Sequence, residues 1–442
     1  MHKRENRFLD FLLSNTVTII FTLFVVIGFI VSKDLPLNFF LNELSDRIFR
    51  NLFLVLSLII PVVAGLGLNF GIVIGAMSGQ IAIIIVRYFG VGGFGGLMLC
   101  FAISLPISIL VGYFTGKLYN KTRGREMIAS LIVGNFANGI YQFLLLFVIG
   151  YIIKVPATHP LIKPDGVGIR VSVDLLSLEK GGLKYSLDYA MDGLGKIFPF
   201  LGDPFRVRFI VAVMIASGIA SLVLIVKLIR SRGKTIESAP LNTRSTIINA
   251  SICGLLFLAA LYAVVTKSSL MMVKAIPLGT AVAILLLCLF TWGIMRTKLG
   301  QDFRAVGQSQ TISDVAGIDV DRTRIIATIL STILASWGMI IYLQNMGTLT
   351  TYSAHTQVGM FSVAALLVGG ASTSRATIKH ALVGTILFNA MFIISPEIGK
   401  AVFSQAILGE YFRTFMVHGV IGLSLGLYVW RSLKATEIRL DD

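Results

Sequence analysis

Seven neutral hydrogen-bonding side chains stand in or beside the long apolar runs of this 442-residue chain: Asn69, Ser78 and Gln80, then Asn135, Asn138 and Gln142, then Asn389. Amides and hydroxyls at membrane depth suit an uncharged polar solute with hydroxyls or ring nitrogens. The same groups also make the interhelical hydrogen bonds that fasten bundles together. Asn135, Asn138 and Gln142 are spaced i, i+3 and i+7, so they share one helical face. With Asn69 and Gln80 on an earlier run, they are the candidate lining of a solute pathway.

Other chemistry is missing its parts. Gly233-Lys234-Thr235 looks like the end of a phosphate loop, but Leu228 stands where the motif needs Gly. No His-Glu-x-x-His pair occurs, and among the five histidines His355, His380 and His418 have no evident partner in the sequence. Cys100, Cys253 and Cys288 fall inside apolar runs at spacings that match neither a metal site nor a disulfide framework, which predicts free thiols. The chain is therefore expected to be no enzyme and to bind no cofactor. A stand-alone secondary carrier or channel is the alternative to a driven permease. An ion-coupled carrier would place paired carboxylates within its spans, and the runs carry almost no ionisable groups.

The elements that must position these residues are membrane helices. Hydrophobic residues make up 55% of the chain and charged ones 14%, and the mean hydropathy is +0.85. A soluble globular composition does not reach that balance. Apolar windows long enough to approach a crossing fall at 13–32, 51–68, 70–89, 96–116, 127–152, 207–229, 246–265, 275–295, 324–343, 357–371, 380–395 and 411–430. The windows 70–89, 357–371 and 380–395 are Gly- and Ser-rich or short, the pattern of re-entrant or broken helices. The expected fold is an all-α polytopic membrane protein with 10–12 transmembrane or partly re-entrant helices. The run Leu12 to Val31, after His2, Lys3, Arg4 and Arg7, is long enough to span and is read as an uncleaved first helix.

The net charge of +16 is spread over short loops and forms no basic face for nucleic acid. With the N-terminus inside, 22 of the 38 Lys and Arg fall on the cytoplasmic side, which predicts cytoplasmic termini. Trp292 before Arg296 and Trp430 before Arg431 fit an aromatic belt at that face. The organisation read from these windows is N-terminal spans over 1–153, an extracytoplasmic insertion with some strand and helix over 154–208, and C-terminal spans over 209–442, which include a cytoplasmic segment at 296–323.

That segment runs Leu299-Gly300-Gln301-Asp302-Phe303-Arg304-Ala305-Val306-Gly307 and on through Asp314-Val315-Ala316-Gly317-Ile318-Asp319-Val320. Phe303, Val306, Ile312 and Val315, set among charges and small residues, describe a short amphipathic helix or helix pair that can seat in a partner's groove. Arg304-Ala305-Val306-Gly307, then Gly317-Ile318-Asp319-Val320, then a span reaching Ala335-Ser336-Trp337-Gly338, resembles the signature of ribose- and nucleoside-type ABC importer permeases, a branched-chain-like family. Leu68-Asn69-Phe70-Gly71 with Gly75-Ala76 and Gly79-Gln80 is similar to that family's early segment. Leu367-Val368-Gly369-Gly370-Ala371-Ser372 with Gly384-Thr385 is similar to its late one. The chain departs at Met77-Ser78, where the family commonly has an acidic residue, and at Ser374-Arg375-Ala376-Thr377. Arg125-Glu126-Met127-Ile128-Ala129-Ser130 followed by Asn135 is closer to the nucleoside branch.

The resemblance implies a permease subunit in the cell inner membrane that moves a nucleoside or monosaccharide inward by alternating access. It implies three kinds of partner: cytoplasmic ABC ATPase subunits that hold the ATP and Mg, a second permease copy or paralogue, and an extracytoplasmic solute-binding protein. Asp302, Phe303, Arg304, Gly307, Asp314 and Gly317 would then carry ATPase coupling, and Asn69, Gln80, Asn135, Asn138 and Gln142 the substrate pathway.

Overall fold

A computed structural model of the protein describes residues 16–32, 35–156, 158–176, 182–192, 207–231, 240–266, 268–405, 407–422 and 426. The basic stretch 1–12, the Gly233-Lys234-Thr235 loop, Trp430 and the segment 431–442 lie outside those residues. The chain divides into two compact units. One contains residues 47–190 and 279–442 with the described part of 1–33; the other contains 34–46 and 191–278.

In chain order the helices are α1 (Thr16–Val31), α2 (Leu37–Ser57), α3 (Ile59–Val63), α4 (Ile72–Tyr88), α5 (Gly93–Lys121) and α6 (Glu126–Phe143), the last continuing as π-helix over Leu144–Ile152. After strand β1 (Ser172–Asp174) come α7 (Ser186–Asp192), α8 (Phe209–Ser231), α9 (Pro240–Val265), α10 (Leu278–Ile294), α11 (Lys298–Gln308), α12 (Gln310–Val315) and α13 (Val320–Met346). Strand β2 (Thr348–Thr350), α14 (Ala354–Val368), α15 (Ile378–Phe403) and a helical stretch over 407–422 complete the order.

The protein is an all-α polytopic membrane protein. Among the described residues six helices are long and apolar enough to cross a bilayer: α5, α6 with its π extension, α8, α9, α13 and α15. A seventh results if α10 and α11, bent by 75° at their junction, count as one span. α1, α4 and α14 are apolar but shorter. The expectation of ten to twelve helices included short and partly re-entrant ones, and the bent pair and the three shorter helices are elements of that kind.

The larger unit is organised on α13, which packs against α4 and α5. Helices in lipid gain little from hiding apolar surface, so close approach through small residues has to hold them. α13 lays Thr332, Ala335 and Ser336, all buried, against Gly75 and Gly79 of α4, and Ile325, Ile329 and Thr332 against Gly112 and Gly116 of α5. Of the apolar windows of α13 and of α15, which packs on α14 and α1, 61% is buried, against 6% for α8 and 11% for α9 in the second unit. There α8 and α9 meet around Ile210, Ala260 and Ala263 and leave most of their apolar surface outward, as lipid-facing helices do.

The window 51–68 is not a single span. Pro61 has no N–H for the Ser57 carbonyl, which would be its i−4 partner, and the helix breaks there. The Ser331 hydroxyl of α13 donates to that carbonyl at 3.2 Å. The chain then turns through Gly65 and Gly67, both at positive φ, before α4 begins. Non-helical backbone at this depth has to be satisfied by neighbouring groups. Side chains from α5 and α6 supply them, as described below.

At the other end of α13 the described part of 154–208 contains a strand and a helix. β1 pairs antiparallel with β2, with Val173 opposite Leu349. In α7, Leu187 N–H donates to Gln344 Oε1 at 3.3 Å, and Asp188 accepts from Thr280 N–H at 3.0 Å. Burial holds the Asp188 carboxyl above the usual carboxylate range, and the hydrogen bonds from Thr280, Gly279 and Gln344 oppose that rise.

Candidate functional site

Thr297 caps α11 by accepting from Gly300 N–H, and Ser309 ends α11 while its hydroxyl accepts from Ile312 N–H to cap α12. The amphipathic segment is thus two helices hinged at one serine. They do not share a single apolar face. Phe303 and Val306 of α11 are buried in the protein, whereas Ile312 and Val315 of α12 are 71% and 87% exposed. Asp302 is half-buried, and Arg304 and Asp314 are exposed. Gly317 turns the chain at a φ of +81°, a conformation costly for residues with a Cβ. Asp319 then caps α13 by accepting from Arg322 N–H.

Gly307 fixes α11 to the Pro61 break. A Cβ at this position would lie 2.1 Å from the Val63 carbonyl oxygen, and one at Gly65 would lie 2.8 Å from the Gly307 Cα. Backbone therefore meets backbone at this contact.

Asn69 stands at the far end of that turn. Its Oδ1 accepts from Gly71 N–H at 2.9 Å and from the Tyr119 hydroxyl of α5 at 2.8 Å. Ser130 of α6 accepts from Phe70 N–H at 3.2 Å. Asn69 is thus placed as the clasp of the broken segment.

Three of the other candidate pathway residues come together. Gln80 Oε1 accepts from the Tyr141 hydroxyl at 2.8 Å, and that hydroxyl also lies 3.1 Å from the Thr351 carbonyl. Gln142 Nε2 donates to Asn138 Oδ1 at 3.2 Å, and His355 Nε2 lies 2.8 Å from the same oxygen. The Tyr141 and His355 rings meet edge to face with centroids 4.8 Å apart. α4, α6 and α14 thus contribute to one uncharged cluster, in which Gln80 Nε2 and His355 Nδ1 are buried without a partner among the described residues. Asn135, one turn earlier on α6, is exposed. Asn389 is elsewhere, accepting from Asn51 Nδ2 at 2.9 Å between α15 and α2, the interhelical fastening that such amides commonly provide.

Sequence reasoning left two features unassigned. His355 has a partner after all, Asn138, which is 217 positions away in the chain. The other feature is an ion pair at the start of α6 and α13: Arg324 Nη2 lies 2.7 Å from Glu126 Oε1 and donates to the Tyr119 carbonyl at 3.1 Å. Arg324 is fully buried. Both residues sit at window edges, where they read as loop charges. The clue in the sequence was that the turns they open are otherwise apolar.

Residues 204–421 match the model of the family described as "Branched-chain amino acid transport system / permease component". Over 96 residues the chain is 33% identical to the Autoinducer 2 import system permease protein LsrC of Enterobacter sp. (strain 638), a stretch covering 22% of this chain and 27% of that protein. Over 106 residues it is 31% identical to the Nucleoside ABC transporter permease protein NupB of Lactococcus lactis subsp. cremoris (strain MG1363), covering 24% of this chain and 29% of that one. The matched stretches span less than a third of either relative's length. No solved structure matches the chain.

Proposed function

We propose that the chain, whose residues 204–421 match the branched-chain permease family, is a ribose- or nucleoside-type permease, the membrane-spanning subunit of an ATP-driven importer of a small uncharged polar solute. The observation that carries this reading is the split segment. α11 is pinned through Phe303, Val306 and Gly307, while α12 offers Ile312 and Val315 to the outside. That geometry suits a cytoplasmic ATPase subunit that grips α12 and, through α11, displaces the Pro61 break.

In this reading both termini and α12 face the cytoplasm of a cell whose inner membrane holds the protein, and 154–208 lies on the opposite side. The short helices α1, α4 and α14 complete the crossings to about ten. ATP and Mg belong to the partner subunits. A second permease copy or paralogue and an extracytoplasmic solute-binding protein complete the assembly. Transport proceeds by alternating access: nucleotide-driven closure of the ATPases favours one of two bundle arrangements, and solute passes as the equilibrium shifts between them. The Gln80, Asn138, Gln142, Tyr141 and His355 cluster supplies donors and acceptors without charge, which suits a nucleoside or monosaccharide. The relatives named for nucleoside and autoinducer 2 import support that class.

The test is uptake into proteoliposomes. The expected result is radiolabelled nucleoside or sugar accumulation only when the chain is reconstituted with its ATPase, its binding protein and internal ATP. Accumulation by the chain alone under an ion gradient would replace this reading with a secondary carrier.

A further inference from the structure

We propose that the cavity between α10, α11 and the turn before α15 is a binding site for the phosphate headgroup of an anionic phospholipid. The cavity has a volume of about 880 Å³, and Arg296, Arg304 and Arg375 line it together with Trp292, Thr291 and Thr377. No carboxylate is among the described residues that line it. Each of these guanidiniums presents donors in the forked geometry that matches phosphate oxygens. Thr377 caps the start of α15, so the positive end of that helix dipole adds to the same field.

Two further observations point to a lipid. The Thr291 hydroxyl, in a residue only 2% exposed, has no hydrogen-bond partner among the described residues, an unmet donor beside the charged lining. The outward face of α10 leading to the cavity is apolar, with Leu285, Leu286 and Leu289 each more than half exposed. It ends at Trp292, over whose ring Arg296 lies 3.8 Å from the centroid. Acyl chains can lie along that face while the phosphate enters among the arginines, the arrangement by which basic pockets between membrane helices take lipid headgroups. The inference rests on the membrane reading of the chain but not on ATP-driven transport. Arg304 belongs to α11, so a bound headgroup would bridge α11, α10 and the 375 turn.

The experiment is binding to the purified chain in neutral detergent, read by native mass spectrometry, with phosphatidylglycerol and phosphatidylcholine in separate titrations and inorganic phosphate as competitor. The expected result is preferential retention of phosphatidylglycerol at physiological salt. Arg296→Gln with Arg375→Gln should reduce that retention about thirtyfold, given the usual contribution of each basic residue near an anionic headgroup, and leave phosphatidylcholine unchanged. Equal retention of the two lipids, or a preference that survives the double substitution, would overturn the proposal. Displacement of the lipid by millimolar phosphate would overturn the lipid assignment and leave a free-phosphate site. A failed transport assay would leave this readout untouched.

Discussion

α11 and α12 are consecutive, share Ser309 between them, and are alike in their mix of charged, small and apolar residues, yet they treat their apolar side chains in opposite ways. α11 spends Phe303 and Val306 on the protein's own interior; α12 leaves Ile312 and Val315 in the open. Amphipathicity alone therefore does not say what a face is for. In α11 it serves attachment, and in α12 it leaves a surface unclaimed. The contrast predicts that substitutions six to twelve residues apart will divide into those that damage the fold and those that damage only assembly.

The largest expected effect is at Phe303, which is fully buried. Removing a buried aromatic ring costs about 3–5 kcal/mol through lost contacts and the cavity left behind. Phe303→Ala should lower the melting temperature of the purified chain and abolish uptake. A melting temperature equal to that of the wild type would mean that α11 is not anchored and would erase the contrast with α12.

The contrast was only partly legible in the sequence. Hydropathy found α5, α6, α8, α9 and α13 because each is an apolar run with charge or turn residues at its ends. It missed the first turns of α2, where Glu43, Asp46, Arg47 and Arg50 lower the apolar average of a helix continuous to Ser57. It also ran straight through the break at Pro61, since Ile59, Ile60, Val62 and Val63 are as apolar as any span. The resemblance to importer permeases drew attention to 302–317, but local pattern treats Phe303 and Ile312 as equivalents. Which of them is covered depends on how α11 packs on α13 and on α3, the latter more than two hundred residues earlier. The Asn138 and His355 pairing was hidden for the same reason, because it exists only once α6 and α14 are side by side.

An intermediate effect is expected at Gly307. Its absent Cβ lets α11 rest on the Val63 carbonyl, so even alanine must push the two backbones apart, at a cost of about 1–3 kcal/mol, typical of overpacking. Gly307→Ala should therefore lower stability modestly while reducing uptake more than stability alone accounts for, because the displaced contact is the proposed path to the Pro61 break. The comparison that checks it is solute-stimulated ATP hydrolysis against melting temperature. Parallel losses in both would reduce Gly307 to a packing role.

The smallest effect on the fold and the most selective on function belongs to Ile312→Asp with Val315→Asp. Both side chains are exposed, and surface substitutions away from packed contacts usually change stability by no more than about 0.5 kcal/mol, so the melting temperature should hold. If an ATPase subunit buries α12, two carboxylates would enter an apolar contact unpaired, a penalty large enough to break the complex. The chain should then insert and fold as before but neither retain the ATPase subunit nor import solute. Retained assembly would place the docking surface elsewhere and leave the exposure of α12 without a use, whereas loss of assembly at unchanged stability would separate, within eighteen residues, the part of the segment that belongs to the permease from the part that belongs to its partner.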